Sequence, residues 1–180
     1  ALSLSLDDGS MSQYNYGVPV LEKYGINATF GLVTEWTEEN PSSSAEKGTF
    51  AVDKFGWNQA KEFCSRYGGR LPTEEEWEFA ARAGSTESRY GLIDQVAWYG
   101  SNSAGQRHPV GQKQANAWGL YDMLGNVWEW TESSYSSEFN VLRGGSIYKD
   151  PSYIRASVRG KMGPGYKVGD VGFRCLRDSL

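Results

Sequence analysis

Apolar and polar positions alternate at the start of the chain. Leu2, Leu4 and Leu6 predict a half-buried strand over Ala1–Leu6, ended by the turn-forming run Asp7-Asp8-Gly9-Ser10. Val18–Tyr24 reads as a short helix stopped by Gly25, and Asn27–Thr34 as a second strand. Glu38–Lys47 is polar, carries Pro41 and a run of serines, and reads as a linker. From Gly48 the texture changes. Within Trp57–Tyr67, Ala60, Phe63, Cys64 and Tyr67 recur at helical spacing, so the segment predicts an amphipathic helix closed by Gly68-Gly69. Thr73 stands three residues before Glu76, a capping box, with Glu74 and Glu75 in the first turn where the helix dipole favours negative charge. Trp77, Ala80 and Ala81 supply that helix's buried face. Beyond Gly84 short apolar runs alternate with Gly and Asn: Val96–Tyr99, Val127–Trp130, Val141–Arg143 and Val171–Leu176. These predict short strands of an antiparallel sheet, and two helices followed by such strands predict an α+β domain with long loops.

The length of 180 residues suits one domain, at most with an appendage, and 39% hydrophobic residues suffice for a core. No apolar run is long enough to span a membrane as a helix. The chain holds 7 Trp, 11 Tyr and 22 Gly but a single histidine, His108. That predicts an irregular frame pinned by large rings, and it argues strongly against a multi-histidine metal site. His108 precedes Pro109 in a polar loop and reads as a solvated residue.

Charge is unevenly spread. Residues 1–142 carry 10 Lys and Arg against 19 Asp and Glu, whereas residues 143–180 carry 8 against 3. A basic tail on an acidic body either presents a surface that attracts anions or folds back to neutralise the body. The acidic balance of the whole argues against nucleic acid as a partner. Cys64 and Cys175, the two cysteines, permit one disulfide or two free buried thiols. The chain opens at Ala1 inside a strand pattern, without a basic-then-apolar leader, and reads as a processed or trimmed product. Export, display at a cell surface or incorporation in a virion is the expected localisation.

Three segments carry a specific signal. They are Gly69-Arg70-Leu71-Pro72-Thr73-Glu74-Glu75-Glu76-Trp77-Glu78-Phe79-Ala80-Ala81-Arg82, then Trp118-Gly119-Leu120-Tyr121-Asp122-Met123-Leu124-Gly125-Asn126-Val127-Trp128-Glu129-Trp130, then Arg143-Gly144-Gly145-Ser146 leading to Gly172-Phe173-Arg174-Cys175. In this order they resemble the formylglycine-generating enzyme, or sulfatase-modifying factor, family over Gly48–Asp178. The resemblance implies a variant of the C-type lectin fold over residues 48–180 and a disulfide between Cys64 and Cys175. The residues agree with such a frame. Arg70 and the glutamates suit internal ion pairs, Gly125-Asn126 tolerates positive φ, and Trp118, Trp128 and Trp130 read as core pillars rather than ligand stackers.

The resemblance also bears on catalysis. Enzymes of that family oxidise a substrate cysteine with two copper-binding cysteines shortly after the Arg-Gly-Gly-Ser motif. Those positions fall at about Lys149 and Ile154 here, and neither side chain offers a thiolate. The sulfoxide synthases of the same group need iron-binding histidines, which His108 alone does not supply. The expectation is therefore a non-enzymatic binding module without a required cofactor. It is most similar to the variable proteins of diversity-generating retroelements, whose segment between the Arg-Gly-Gly-Ser and Gly-Phe-Arg motifs displays a diversified ligand-binding face. The matching stretch is Ile147–Asp170. Its candidate ligand-binding residues are Tyr148, Lys149, Asp150, Ser152, Tyr153, Ser157, Lys161, Tyr166 and Asp170, with Arg155 and Arg159 as anchors. Tyr with small polar fillers is the chemistry of an adaptable protein- or glycan-binding surface. The family resemblance further implies calcium, with Asn126 and Glu129 as ligands. The alternatives are a divergent enzyme of the family, or a purely structural or assembly domain.

Residues 1–40 do not match that pattern. Leu4-Ser5-Leu6-Asp7-Asp8-Gly9 and Val20-Leu21-Glu22-Lys23-Tyr24-Gly25-Ile26-Asn27-Ala28-Thr29-Phe30 are similar to the opening of polysaccharide deacetylases. There Asp7 would be the base and Asp8 a metal ligand, but the pair of histidines spaced four apart is missing. The segment reads as a deacetylase-like piece, or a chance similarity, serving structure, with its alternating strand over Ala1–Leu6 placed to pair at the sheet edge near the C-terminal strand; a remnant metal-dependent polysaccharide deacetylase is the further enzymatic alternative.

Overall fold

A computed structural model of the chain describes residues 28–32, 51 and 54–178. The predicted strand over Ala1–Leu6, the helix over Val18–Tyr24, the linker, and Asp7 and Asp8 lie outside the described residues.

Helix α1 spans Trp57–Arg66 and buries Ala60 and Cys64. Helix α2 spans Glu74–Arg82, and its capping box forms as the sequence predicts: Thr73 Oγ1 accepts from the Glu76 N–H at 3.3 Å while Glu76 Oε2 accepts from the Thr73 N–H at 2.8 Å. The second bond leaves the carboxylate free to take Arg70 as well, at 2.6 and 2.7 Å. Arg70 thereby holds the Glu76 carboxyl below its ordinary range, against the opposing effect of burial. A short helix α3, Ile93–Val96, leads into β2, Ala97–Trp98, which pairs in parallel with β3, Leu124–Gly125.

The main sheet combines β1 (Ala28–Leu32), β4 (Trp128–Ser134), β5 (Asn140–Arg143), β6 (Arg159–Met162) and β7 (Val171–Asp178) in the order β1-β7-β4-β5-β6. Strand β1 pairs antiparallel to β7 from Ala28↔Asp178 to Leu32↔Arg174, so the stretch before residue 40 contributes an edge strand beside the C-terminal strand. The sheet is mixed rather than antiparallel. β4 and β5 form a hairpin, and β6 returns antiparallel to β5, but β7 lies parallel to β4. The chain reaches β7 by crossing from the β6 edge to the far side of β4, and a crossover of this kind permits parallel pairing where a hairpin forbids it. The period of apolar residues in Val171–Leu176 identifies a strand without recording this direction. β6, with the sequence Arg-Gly-Lys-Met, has no apolar run and escapes the periodicity signal.

Among the described residues two large clusters and a small one, Ala51 with Val127, form the core. One large cluster packs Trp77, Ala80 and Ala81 of α2 against Trp118, Leu120, Met123, Leu124 and Ile154. The other packs Ala60 and Cys64 of α1 against Trp128, Trp130, Leu142 and Phe173 of the sheet. Trp118, Trp128 and Trp130 are all buried, as pillars should be. Gly125 explains the Gly-Asn signal. Its φ is +76°, and a Cβ there would sit 2.2 Å from the Trp98 carbonyl oxygen, so only glycine permits the β2–β3 approach.

Candidate ligand-binding surface

The segment that follows β5 starts with Gly144 and Gly145 in left-handed conformations and runs over the end of the domain before returning as β6. It is held by its main chain. Ser103 Oγ donates to the Ile147 carbonyl at 3.0 Å, the Gly100 N–H to the Lys149 carbonyl at 2.9 Å, and the Ala156 N–H to the Ser88 carbonyl at 2.9 Å. Arg89 donates from Nη2 to the Pro151 carbonyl and from Nε to the Ile154 carbonyl, the latter at 2.6 Å. The Ile147 N–H reaches the Asn126 carbonyl at 3.1 Å, and a 3₁₀ turn over Pro151–Tyr153 folds the middle of the segment on itself. Ile147, Ile154 and Ala156 send side chains into the core, and half-buried Val158 packs against it. Between them, Tyr148, Asp150, Ser152, Tyr153 and Ser157 stand exposed, Tyr148 at 63% and Tyr153 at 48%. Lys149 is half-buried, with Nζ 5.7 Å from the centre of the Tyr153 ring.

Lys161 and Tyr166 belong to a second cluster around β6. Lys161 Nζ lies 4.8 Å from the Tyr135 ring centre and 5.2 Å from that of Phe139, and Arg159 Cζ lies 5.1 Å from Tyr135. Tyr166, 65% exposed, leans over Gly163 at the neighbouring turn. Tyr135 and Phe139 sit on the β4–β5 hairpin and were not among the candidates read from sequence. The signal available was two aromatic rings in an otherwise polar hairpin, Ser-Ser-Tyr-Ser-Ser-Glu-Phe-Asn.

Other expectations need correction. Asp170 belongs to the frame: Oδ2 accepts from Ser146 Oγ at 2.7 Å and its carbonyl accepts from the Trp128 N–H at 2.8 Å. Arg159 is an anchor, forked onto Glu74 at 2.6 and 2.7 Å, whereas Arg155 is exposed and donates to the nearby Ser152 carbonyl at 2.8 Å. His108 is half-buried rather than solvated, stacked on Trp98 at 3.7 Å with Nε2 on the Ser103 carbonyl.

The proposed calcium ligands do not converge. Asn126 spans the His108 main chain, accepting from its N–H at 3.1 Å and donating to its carbonyl at 3.0 Å. Both Glu129 oxygens are engaged, one by Arg174 Nη2 and the other by Arg174 Nε and the Trp77 indole N–H. The guanidinium already supplies the positive charge that a cation would bring, so these two side chains do not fit a calcium site as a pair. Among the described residues no cluster of three or more His, Cys, Asp or Glu side chains is arranged to hold a metal. Cys64 and Cys175 form a disulfide that ties α1 to β7, and Ile154, at one of the positions where the resemblance places copper-binding cysteines, is fully buried among apolar side chains.

The basic tail divides into two sets. Arg143, Arg159 and Arg174 pair with Glu78, Glu74 and Glu129 of the preceding body. The reading in which the tail folds back to neutralise the body therefore holds for these three arginines. Lys149, Arg155, Lys161, Lys167 and Arg177 have no carboxylate within ion-pair distance among the described residues.

A fold of two short-stranded sheets, two main helices and long loops around a tryptophan core is the C-type-lectin-like architecture of the formylglycine-generating type. The chain belongs to the sulfatase-modifying factor family: the model of the Sulfatase-modifying factor enzyme 1-like domain matches residues 51–179. It is 38% identical over 157 residues to the inactive C-alpha-formylglycine-generating enzyme 2 of Bos taurus, covering 74% of this chain and 52% of that protein. It is 33% identical over 160 residues to the formylglycine-generating enzyme of Streptomyces coelicolor, covering 68% of this chain and 51% of the enzyme. The chain thus spans about half the length of these relatives. Among solved structures it is similar to Treponema denticola variable protein 1, with a TM-score of 0.75, 25% identity and 84% of each chain covered. The U1 variant of the Major Tropism Determinant shares the fold, with a TM-score of 0.53 and 18% identity over 81% of this chain and 44% of that one.

Proposed function

We propose that this domain is a non-catalytic recognition module in which residues 147–166 form an exchangeable gripping surface on a fixed frame. One observation carries the reading. The bonds that tie the 147–156 stretch to the frame end on its main-chain groups, so its outward side chains can change without loosening it. Exposed tyrosines beside small polar residues give such a surface rigid contact area at low entropic cost. The similarity to a variable protein supports the same reading.

Against catalysis stands the chemistry of the thiols. The chain has two cysteines and both are consumed by the disulfide, so no thiolate remains to hold copper. The disulfide itself suits an oxidising compartment, in keeping with export, a cell surface or a virion. Identity to formylglycine-generating enzymes keeps one second reading, a divergent enzyme. Metal analysis separates the two: the module reading expects no stoichiometric copper, iron or zinc, and the enzyme reading requires one of them.

The direct test is to sequence many copies of the encoding gene from one population. Substitutions concentrated between Ile147 and Asp170, sparing Ile147, Ile154, Ala156 and Asp170, support the proposal. An even spread over the domain overturns it.

A further inference from the structure

Resting on that reading, we infer that the surface recognises an acidic protein ligand. The body of the domain neutralises only those tail arginines that build the fold. Arg143 and Arg174 are buried and Arg159 fixes β6 to α2, each on a glutamate. Of the tail cations outside these ion pairs, Arg177 lies on β7 and the other four lie in the candidate stretch Ile147–Asp170. Lys149 and Arg155 belong to the turn over the end of the domain, Lys161 to β6, and Lys167 to the loop that follows. The two acids of the same stretch do not cancel them, since Asp170 is turned into the frame by Ser146 and only Asp150 stands exposed. Four tail cations without an ion pair among the described residues thus fall on one tract of an otherwise acidic molecule, the tract that also holds Tyr148, Tyr153 and Tyr166. Complementary charge steers a partner and excludes wrong ones.

Tyr148 and Tyr166 stand open, but the rings with a lysine over them favour protein over an anionic glycan. Sugar binding uses an open ring face, but Lys149 already covers Tyr153, and Lys161 covers Tyr135 and Phe139. What these rings still offer are edges, and on Tyr153 and Tyr135 hydroxyls, next to ammonium groups. That combination suits carboxylate-bearing side chains with apolar neighbours.

The test pans an unbiased displayed library of random peptides against the full chain, with immobilised heparin as the glycan comparison. The expected result is enrichment of Asp and Glu in the selected peptides. Their affinity should fall about tenfold between roughly 50 and 300 mM salt, because exposed ion pairs are screened over this range. It should fall at least as far in the combined Lys149→Glu, Lys161→Glu, Lys167→Glu variant. Selection without acidic enrichment, affinity indifferent to salt, or capture by heparin with no acidic peptide selected overturns the inference. The companion variant Tyr148→Ala, Tyr153→Ala, Tyr166→Ala tests the underlying reading separately. Binding lost there but unmoved by salt and charge reversal removes only the acidic specificity. Binding that survives both sets of substitutions places the ligand elsewhere and removes the surface itself.

Discussion

Arg174 grips Glu129 through bonds of 2.6 and 2.7 Å in the middle of the domain, and neither side chain is more than 2% exposed. The Trp77 indole closes the same carboxylate from α2, at 2.6 Å. One ion pair therefore links β4, β7 and α2. Removing one partner leaves a buried charge uncompensated, so Glu129→Ala is expected to cost about 3–5 kcal/mol. The double change Glu129→Leu, Arg174→Met should recover much of that loss. Denaturant melts of the two variants check this, and a double variant no better than the single one would contradict the assignment.

Glu78 joins Arg82 of its own helix to the buried Arg143 of β5. Burial pushes its carboxyl up, but the hydrogen bonds from Arg82 and Arg143 prevail and hold it below the ordinary 4.5. A depressed folded-state pKa gives stability that is present above the ordinary value and is lost as pH falls through the folded-state value. Glu78→Gln should therefore destabilise by about 1–3 kcal/mol at neutral pH, with the difference from the parent shrinking once both are measured well below pH 4.5. A difference that stays constant from neutral to acid would show that Glu78 acts through packing alone.

Reducing the Cys64–Cys175 bridge, or replacing both residues by Ala, removes a cross-link over a sequence separation of 111. In the chain-entropy account it contributes on the order of 4 kcal/mol. The reduced protein should melt markedly earlier while still folding around the same tryptophans. Unchanged melting on reduction would mean that the bridge contributes nothing to the frame.

Arg89 and Tyr153 meet the same stretch of chain in opposite ways. Arg89 holds the main-chain carbonyls at residues 151 and 154, and Tyr153 points outward. Arg89→Ala should lower stability by about 1–3 kcal/mol and loosen the turn, since hydrogen bonds to a charged group are lost. Tyr148→Ala and Tyr153→Ala, singly or together, should stay within about 0.5 kcal/mol of the parent. Thermal melts of the three variants decide the ordering, and tyrosine variants that melt first would make those rings part of the core.

Much of this was legible in the chain. The spacing of Ala60 and Cys64, the Thr73–Glu76 box and the positive-φ pair Gly125-Asn126 each state a local structure that the fold retains. Direction and partnership were not. Val171–Leu176 says strand, but its parallel pairing with β4 follows from where the crossover enters. Arg-Gly-Lys-Met at β6 is exposed at both charged positions, so no hydrophobic period marks it. Aspartate on a basic, tyrosine-bearing stretch looks like part of a contact surface, and only coordinates reveal that Asp170 turns to Ser146. His108 in a polar loop looks wet until the Trp98 ring, distant in sequence only by ten residues, folds against it.

The central claim is that frame and surface are separable, and a folding screen of two libraries tests it most directly. One library randomises Tyr148, Lys149, Asp150, Ser152, Tyr153, Ser157, Lys161 and Tyr166 together. The other randomises eight buried frame positions: Trp77, Leu124, Glu129, Trp130, Ile147, Ile154, Phe173 and Arg174. Protease resistance of displayed protein reads the folded fraction in each. The account predicts that most members of the first library resist digestion and almost none of the second do. Equal loss of resistance in both libraries would contradict it.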